Sequence, residues 1–242
     1  MRIFVAILRC FVVIALTIYI GYFSFFCSKK AHETVCNEIR IEVKDSLQYQ
    51  FVSALDIDVF LNEKKLNPRG KTIHDINLEK MEESLSQHTA IRTAKCYYSP
   101  SGKVCVDVWQ REPLFRVMGL QSYFVDTDGN RMPLFAHNAV YVPIVSGAVN
   151  DSNVQHICEF VRFLNADEFW GAQVEQINVL SNGEFELTTR IGNHQLLLGE
   201  FDGFEKRLKK MQTFYQKGID LLDWNVYKKF DLRYKNQVIG VK

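Results

Sequence analysis

An uncharged apolar run near the N-terminus constrains this chain more than any other feature of its sequence. From Cys10 to Ser28 there is no charged residue, and a helix of this length is long enough to cross a hydrocarbon core of about 30 Å. The run must be helical in lipid, because a single strand would leave its backbone polar groups unpaired. The sequence therefore predicts a transmembrane helix at 10–28, preceded by a short tail at 1–9.

Three other interpretations of this run fit less well. A cleaved signal peptide ends in small residues of the Ala-X-Ala kind, whereas this run closes with Phe25, Phe26 and Cys27. The bulky Phe26 directly before Cys27 also disfavours a lipoprotein site. A buried core helix would be shorter and amphipathic. We therefore interpret the run as an uncleaved single-pass anchor.

Charge alone does not orient this anchor. Arg2 and Arg9 precede the run and Lys29 and Lys30 follow it, so the positive-inside rule gives a nearly balanced count. Because only a short tail lies on the N-terminal side, the function must reside in the long C-terminal part, which we expect to lie outside the cytoplasm. The formal net charge of +1 over 242 residues argues against nucleic-acid binding, which needs a clustered basic excess.

After a polar linker at 29–37, residues 38–113 carry the pattern of a small α+β domain. Alternation of apolar and polar residues predicts strands, and apolar residues at helical spacing behind capping residues predict helices. The order β-α-α-β-β is typical of helices on one face of a sheet, and Pro113 cannot continue a central strand. The predicted elements are a strand at 39–43, a helix capped by Ser53, a helix that starts at Asp75 or Asn77, and strands at 91–98 and 103–110.

Residues 114–242 predict a mostly antiparallel β domain with two inserted helices. Short strand-like stretches are separated by turn residues, and Ser181-Asn182-Gly183 is typical of a hairpin turn. The helices are expected at 153–170 and 203–222. In the second helix we expect Arg207, Lys209 and Lys210 to form a solvated face.

Cys96 and Cys105 lie on the two strands that precede Pro113. If residues 99–102 form the loop between these strands, Cys96 faces Cys105, and Cys105 points away from the core. Two opposed cysteines outside the cytoplasm can form a disulfide, although cross-strand geometry is often unfavourable for one. A disulfide and two free thiols therefore both remain open.

The stretch 230–242 predicts a closing hairpin with an open outer edge. Lys235 and Asn236 are typical of a two-residue turn, which fixes the register of the strands. Such an edge is either a short, charge-protected end of the sheet or a place where a partner adds a strand. The expected pairs are Tyr234 with Gln237, Leu232 with Ile239, and Phe230 with Val241, and the residues expected to face the core are Phe230, Leu232, Ile239 and Val241.

The sequence shows no motif for catalysis or metal binding. The six histidines are scattered without the spacing of a metal site, and neither a nucleophile elbow nor a phosphate loop occurs. The stretch 126–130 resembles the start of a calcium loop, but His137 stands where that loop requires a glutamate. We therefore predict no catalytic, cofactor-binding or metal-binding residues and no small-molecule substrate, and we interpret 126–130 as a hairpin turn.

Five stretches, which run over nearly the whole chain, together carry a family pattern. They are KLNPRGKTIHDIN at 65–77, CYYSPSGKVCVDVWQREPLFRV at 96–117, SYFVDTDGNRMPL at 122–134, VPIVSG at 142–147 and FDLRYKNQVI at 230–239. In this order they resemble the FtsQ family of bacterial cell-division proteins, also called DivIB, in the form found in Bacteroidetes.

The resemblance implies a non-catalytic, single-pass protein of the inner membrane at the division septum, with a POTRA-like domain at 38–113 and a β domain at 114–242. It implies FtsB-type and FtsL-type partners and a role in septal peptidoglycan synthesis. FtsB is bound at the C-terminal part of the β domain in this family, and strand addition there would use the open edge. The residues at the matching positions are Tyr234, Gln237, Val238, Ile239, Gly240 and Val241. The aromatic residue that the family often carries after this strand is missing.

Two other functions remain open from the sequence. A membrane-anchored hydrolase could assemble its site from scattered residues, and mutation of an acid or a histidine would then abolish function without loss of the fold. A POTRA-bearing component of a secretion or envelope-assembly system would surround the whole envelope, whereas a division protein forms a band at mid-cell.

Overall fold

The computed structural model describes residues 11–23, 35–100, 102–135, 140–218 and 226–241. It divides the chain into two units, Met1–Gln110 and Arg111–Lys242. The first unit carries a three-stranded sheet and the second a nine-stranded sheet. The mixed α+β class predicted from the sequence is confirmed.

Residues 11–23 form a helix, α1, whose side chains are exposed. This helix covers only part of the predicted span, because Cys10 and residues 24–28 lie outside the described residues. The predicted tail at 1–9 and residues 29–34 of the predicted linker lie outside them as well. Among the residues that the structure describes, none of the helices combines the length and the apolar character needed to cross a bilayer.

The first unit has the predicted β-α-α-β-β order. Its central strand pairs in parallel with the first strand and antiparallel with the second, which gives the sheet order β1-β3-β2. Its elements are β1 (Ile39–Val43), α2 (Ala54–Glu63), α3 (Leu78–Ser86), β2 (Ile91–Tyr98) and β3 (Val104–Gln110).

Both helices of this unit begin where their capping residues predict. The Ser53 hydroxyl accepts the Asp56 N–H at 3.3 Å, and the Asp56 carboxylate accepts the Ser53 N–H at 2.8 Å, which forms a capping box. Asn77 caps α3 by accepting the N–H of Lys80 at 2.8 Å. The buried core between helices and sheet contains Ile57, Leu61, Met81, Leu85, Val104, Val106 and Val108.

The predicted register of β2 and β3 is wrong by one residue. Cys96 lies opposite Val106, and Cys105 lies opposite Tyr97. Since neighbouring residues of a strand point to opposite faces, Cys96 and Cys105 lie on different faces of the sheet. Both are buried and free, so the expected exposure of Cys105 and the possible disulfide are corrected. Burial raises the pKa of the Cys96 thiol to about 12, which keeps it protonated and unreactive.

The second unit is a mixed sheet with helices between its strands. The strand order is β12-β11-β10-β9-β8-β7-β4-β5-β6, and five of the eight pairings are antiparallel. The two ends of this sheet, β6 and β12, are both very short. The strands are β4 (Pro113–Met118), β5 (Tyr123–Asp126), β6 (Arg131–Met132), β7 (Ile144–Gly147), β8 (Val174–Val179), β9 (Phe185–Thr189), β10 (Gln195–Gly199), β11 (Lys229–Asp231) and β12 (Ile239–Val241).

The helix predicted at 153–170 is in fact two helices, α4 (Val154–Ala166) and α5 (Glu168–Gln173). Asp167 interrupts the helix with φ −96° and ψ 118°, and its carboxylate accepts the N–H of Trp170 at 2.9 Å. This side chain therefore caps a new helix, which turns Trp170 into the core.

The helix predicted at 203–222 is α6 (Phe204–Lys217), and residues 219–225 lie outside the described residues. As expected, its apolar residues at helical spacing are buried. They join α4 and α5 in one core against the sheet, with Phe204 within 5.0 Å of the Phe160 and Phe163 ring centroids. The buried residues of α6 are Phe204, Leu208, Met211 and Tyr215.

The turn between β5 and β6 is built around a buried carboxylate. Asp126 is 1% exposed and forms an ion pair with Arg111 at 2.7 Å. It also accepts the backbone N–H groups of Asp128 and Asn130 at 2.9 and 2.7 Å, while Gly129 has a positive φ of 85°. The prediction of a hairpin turn at 126–130 is therefore confirmed.

Candidate partner-binding edge

The C-terminal hairpin lies at one end of the nine-stranded sheet. β11 runs parallel to β10, and β12 pairs antiparallel with the other side of β11. Within the described ranges, β12 is the last strand at this end. The terminal strand is therefore an edge strand, as the sequence predicts.

The predicted register of the hairpin is wrong by one residue. Phe230 lies opposite Gly240, and Asp231 lies opposite Ile239. A one-residue slip moves every side chain of a strand to the other face. Phe230 is buried as expected, but Ile239 and Val241 are 36% and 47% exposed, and they do not face the core.

Contacts to other elements explain why the strands do not meet in the expected register. The Leu232 N–H donates to the Leu197 carbonyl at 3.0 Å, which keeps Leu232 on the β10 side and away from Ile239. The Lys210 ammonium of α6 donates to the Leu232 carbonyl at 3.1 Å and also to the Tyr234 carbonyl. The chain is thereby held in a long loop where the sequence suggested a two-residue turn.

The ladder directs the backbone of Gly240 toward the open edge. The Lys228 carbonyl and the Leu232 N–H both bond to β10, and alternate residues of a strand point their polar backbone groups to opposite sides. On the other side of β11, Lys229 lies opposite Val241 and Asp231 lies opposite Ile239, and the Val241 carbonyl accepts the Lys228 N–H at 3.2 Å. By this alternation Gly240, which lies opposite Phe230, is expected to turn its N–H and C=O away from β11.

The side chain of Tyr227 packs against Gly240 from the core side. A Cβ at position 240 would lie 2.7 Å from the Tyr227 ring, a distance that ordinary packing does not allow. The Tyr227 ring also contacts Phe230, with 6.1 Å between ring centroids. Glycine at this position therefore lets the edge strand lie flat on the aromatic core.

Charged groups fix the outer face of the hairpin. Arg233 binds the Asp231 carboxylate at 2.8 Å, and Lys229 binds Glu186 at 2.9 Å. The Arg233 guanidinium lowers the pKa of Asp231, so this carboxylate is ionised at neutral pH. These pairs leave Ile239 and Val241 as the apolar side chains on an otherwise polar face.

The predicted site residues all lie in the terminal hairpin, but they differ in exposure and in the face that they occupy. Tyr234 is 48% exposed and Gln237 is exposed, whereas Val238 is half-buried against the core. The sequence missed Lys210 and Tyr227, which position the edge from below. Apolar spacing around Tyr227 could have indicated that this residue contacts the hairpin. No local sequence pattern indicates that Lys210 does so.

The expectation of a solvated basic face on α6 is wrong for Lys210 and Arg207, which are half-buried, and holds for Lys209. Burial, assisted by the nearby Arg207, lowers the pKa of Lys210. Arg207 binds the Glu200 carbonyl. Both side chains thus tie α6 to loops next to the sheet.

We expect Lys210→Met to loosen the terminal hairpin. The methionine keeps the apolar stem but leaves the Leu232 and Tyr234 carbonyls without their charged donor, which should cost about 1–2 kcal/mol. Hydrogen exchange measured by mass spectrometry should show faster exchange at 232–241. Lys209→Met on the exposed side is the control, and equal exchange in both variants would contradict the role assigned to Lys210.

The buried side chains of His194 and Tyr215 are bound to each other within this unit. His194 stacks on Tyr215 at 5.7 Å, and its Nδ1 lies 2.8 Å from the Tyr215 hydroxyl. Burial raises the pKa of Tyr215. Across the described parts of the chain, no group of three or more His, Cys, Asp or Glu side chains is placed to hold a metal ion.

Comparison with known families identifies both units. A family model described as a POTRA-like domain matches residues 34–109, so the chain is of the class in which such a domain precedes a β-sheet domain. A second model, described as FtsQ/DivIB, C-terminal related, matches residues 112–241, which is more than half of the chain. The chain belongs to the FtsQ/DivIB family. A search of curated proteins finds no match.

Membership confirms the resemblance and places the chain in a family of cell-division scaffolds. These proteins are generally non-catalytic, and they associate with the membrane at the division site.

Proposed function

We propose that this protein is a non-catalytic, single-pass scaffold of the divisome that recruits FtsB-type and FtsL-type partners for septal peptidoglycan synthesis. In this proposal a cytoplasmic tail (1–9) precedes an inner-membrane span (10–28) and a linker (29–37). The POTRA-like domain (38–113) and the β domain (114–242) lie in the periplasm at the septum. The observation that carries the proposal is the edge strand β12.

The geometry of β12 supports strand addition as the binding mode. A partner strand placed beside β12 would bond to the outward N–H and C=O of Gly240, since main-chain hydrogen bonds give affinity in this mode. The exposed side chains of Ile239 and Val241 would contact alternate residues of the partner strand. Tyr234 and Gln237, exposed on the preceding loop, would extend that contact.

Attachment to one membrane offsets the small size of this edge. β12 has three residues, so few main-chain bonds are available and the affinity in solution should be modest. Two proteins anchored in the same bilayer meet at a raised effective concentration, which strengthens the complex without new contacts. An edge of this size therefore suits a partner that is itself a membrane protein.

The decisive experiment compares baits in the native cell. The full-length chain, a form without Gln237–Lys242, and the double variant Ile239→Lys with Val241→Lys are co-purified and their partners identified by mass spectrometry. Ile191→Lys, at an exposed apolar residue far from the edge in sequence, is the matched control. Circular dichroism checks that each variant folds.

We expect FtsB-like and FtsL-like proteins to disappear with the truncation and with the double variant, and to remain with Ile191→Lys. If they remain with all baits, the interface lies elsewhere. If no division protein accompanies any bait, or if the tagged protein surrounds the whole envelope without a band at mid-cell, the divisome role itself is wrong.

A further inference from the structure

The first unit contains a basic cleft at the end of α2. It has a volume of about 360 Å³ and is open to solvent. It is separate from the buried core of the unit. Three of its five lining side chains are cationic, and the other two are amides. The lining residues, which define the basic cleft, are Asn62, Lys65, Asn67, Arg69 and Lys71.

Contacts within the fold hold the cationic groups in place. Arg69 Nη1 lies 2.9 Å from the Asp58 carboxylate, and the Asn67 amide donates to the same carboxylate at 3.1 Å. The Lys71 ammonium donates to the Lys65 carbonyl at 3.1 Å, and Lys65 has a positive φ of 58°. Asp58 thus balances one of three positive charges, and the cleft keeps a cationic excess.

The basic cleft adjoins the point where the chain enters the first unit. The Cys36 N–H donates to the Lys71 carbonyl at 2.9 Å, and the Gly70 N–H donates to the Cys36 carbonyl at 2.8 Å. Val35 forms a β-bridge with Thr72. The predicted span ends at Ser28, and seven residues reach at most about 25 Å when fully extended. With the proposed anchor in the bilayer, this tether keeps the entry point of the unit within about 25 Å of the membrane surface.

We propose that the basic cleft binds the phosphate headgroups of anionic lipids in the membrane that holds the anchor. Phosphate oxygens accept charge-assisted hydrogen bonds from Arg and Lys. Attraction to an anionic bilayer acts within a Debye length of about 10 Å, a distance that the short linker permits. Binding there holds the first unit against the bilayer. This inference rests on the proposed membrane anchor.

The test uses the full chain in nanodiscs of phosphatidylcholine alone and of phosphatidylcholine mixed with phosphatidylglycerol. Hydrogen exchange by mass spectrometry follows the amides of residues 64–72. We expect exchange at least about fivefold slower in the anionic discs. The double variant Lys65→Gln with Lys71→Gln should remove this difference, while Lys206→Gln with Lys209→Gln on the exposed side of α6 should retain it.

The outcomes separate this inference from the proposed function. A chain that enters nanodiscs but exchanges equally in both lipids overturns the lipid site and leaves the scaffold role intact. Failure to enter nanodiscs overturns the anchor and the lipid site together. Equal slowing by inorganic phosphate in phosphatidylcholine discs assigns the cleft to a free anion and overturns the lipid assignment.

Discussion

Phe230→Ala is expected to lower the free energy of unfolding of the second unit by about 3–5 kcal/mol. Phe230 is 1% exposed, and its ring centroid lies 5.1 Å from that of His194 and 5.5 Å from that of Phe214. Removing the ring leaves a cavity under β11, because His194, Phe214 and Tyr227, whose ring lies 6.1 Å away, cannot all move into it. The edge strand paired with β11 loses its support at the same time.

Native-state hydrogen exchange measures this loss for the second unit alone, since the most protected amides of β9 and β10 report its global unfolding. Phe230→Leu keeps most of the buried volume and should cost less than about 1.5 kcal/mol. Tyr234→Ala, at an exposed position of the same hairpin, should stay within about 0.5 kcal/mol. A cost below about 1 kcal/mol for Phe230→Ala would contradict the packing described for this hairpin.

Asp126→Ala is expected to destabilise the same unit by about 3–5 kcal/mol. The substitution leaves the Arg111 guanidinium, whose side chain is only 18% exposed, without its carboxylate partner. It also frees the N–H groups of Asp128 and Asn130 that shape the β5–β6 turn. The unpaired charge and the two backbone N–H donors left without their acceptor both destabilise the unit.

The ion pair between Arg131 and Asp151 provides the matched control, because Asp151 is 90% exposed. Asp151→Ala should cost at most about 1 kcal/mol, as for other surface pairs. Asp126→Asn keeps one acceptor oxygen and should lie between the two. Urea titration and native-state exchange both measure these differences, and equal costs for Asp126→Ala and Asp151→Ala would show that burial of the pair is unimportant.

Local signals predicted much of the fold. Ser53 and Asn77 have the side chains that cap helices, and each helix begins at the next residue. The alternation of Val104, Val106 and Val108 predicted a strand with one buried face, and all three are fully buried. These features depend on neighbouring residues, so they can be predicted from the local sequence. The helix break at Asp167 was not predicted, although aspartate is a frequent N-cap.

Register was harder to predict because one residue in a turn decides it. Between β2 and β3, the Ser99 N–H donates to the Lys103 carbonyl at 2.9 Å, and Gly102 has a φ of 77°. These features are typical of a three-residue hairpin loop with a glycine bulge, whereas a four-residue loop was expected. The difference separates Cys96 from Cys105.

The terminal hairpin shows a second limit of sequence reasoning. Its register depends on Lys210, which lies more than twenty residues earlier on a helix. A lysine on a helix is normally expected to be solvated, and no local sequence pattern indicates that it donates to distant carbonyls. Conversely, the outward direction of the Gly240 backbone follows from pairing with β10 and β11, which only the assembled sheet defines.

The two ends of the nine-stranded sheet differ, and this difference bears on stoichiometry. At one end, β6 has two residues. Its Arg131 forms an ion pair with Asp151, and the guanidinium also lies over the Tyr123 ring. At the other end, β12 presents an outward peptide group and two exposed apolar side chains. Head-to-tail growth of such a sheet would require strand addition at both ends, because open-ended growth requires two complementary surfaces. Strand addition at β12 is therefore expected to give closed complexes, with either one partner strand per copy or an isologous pair of copies.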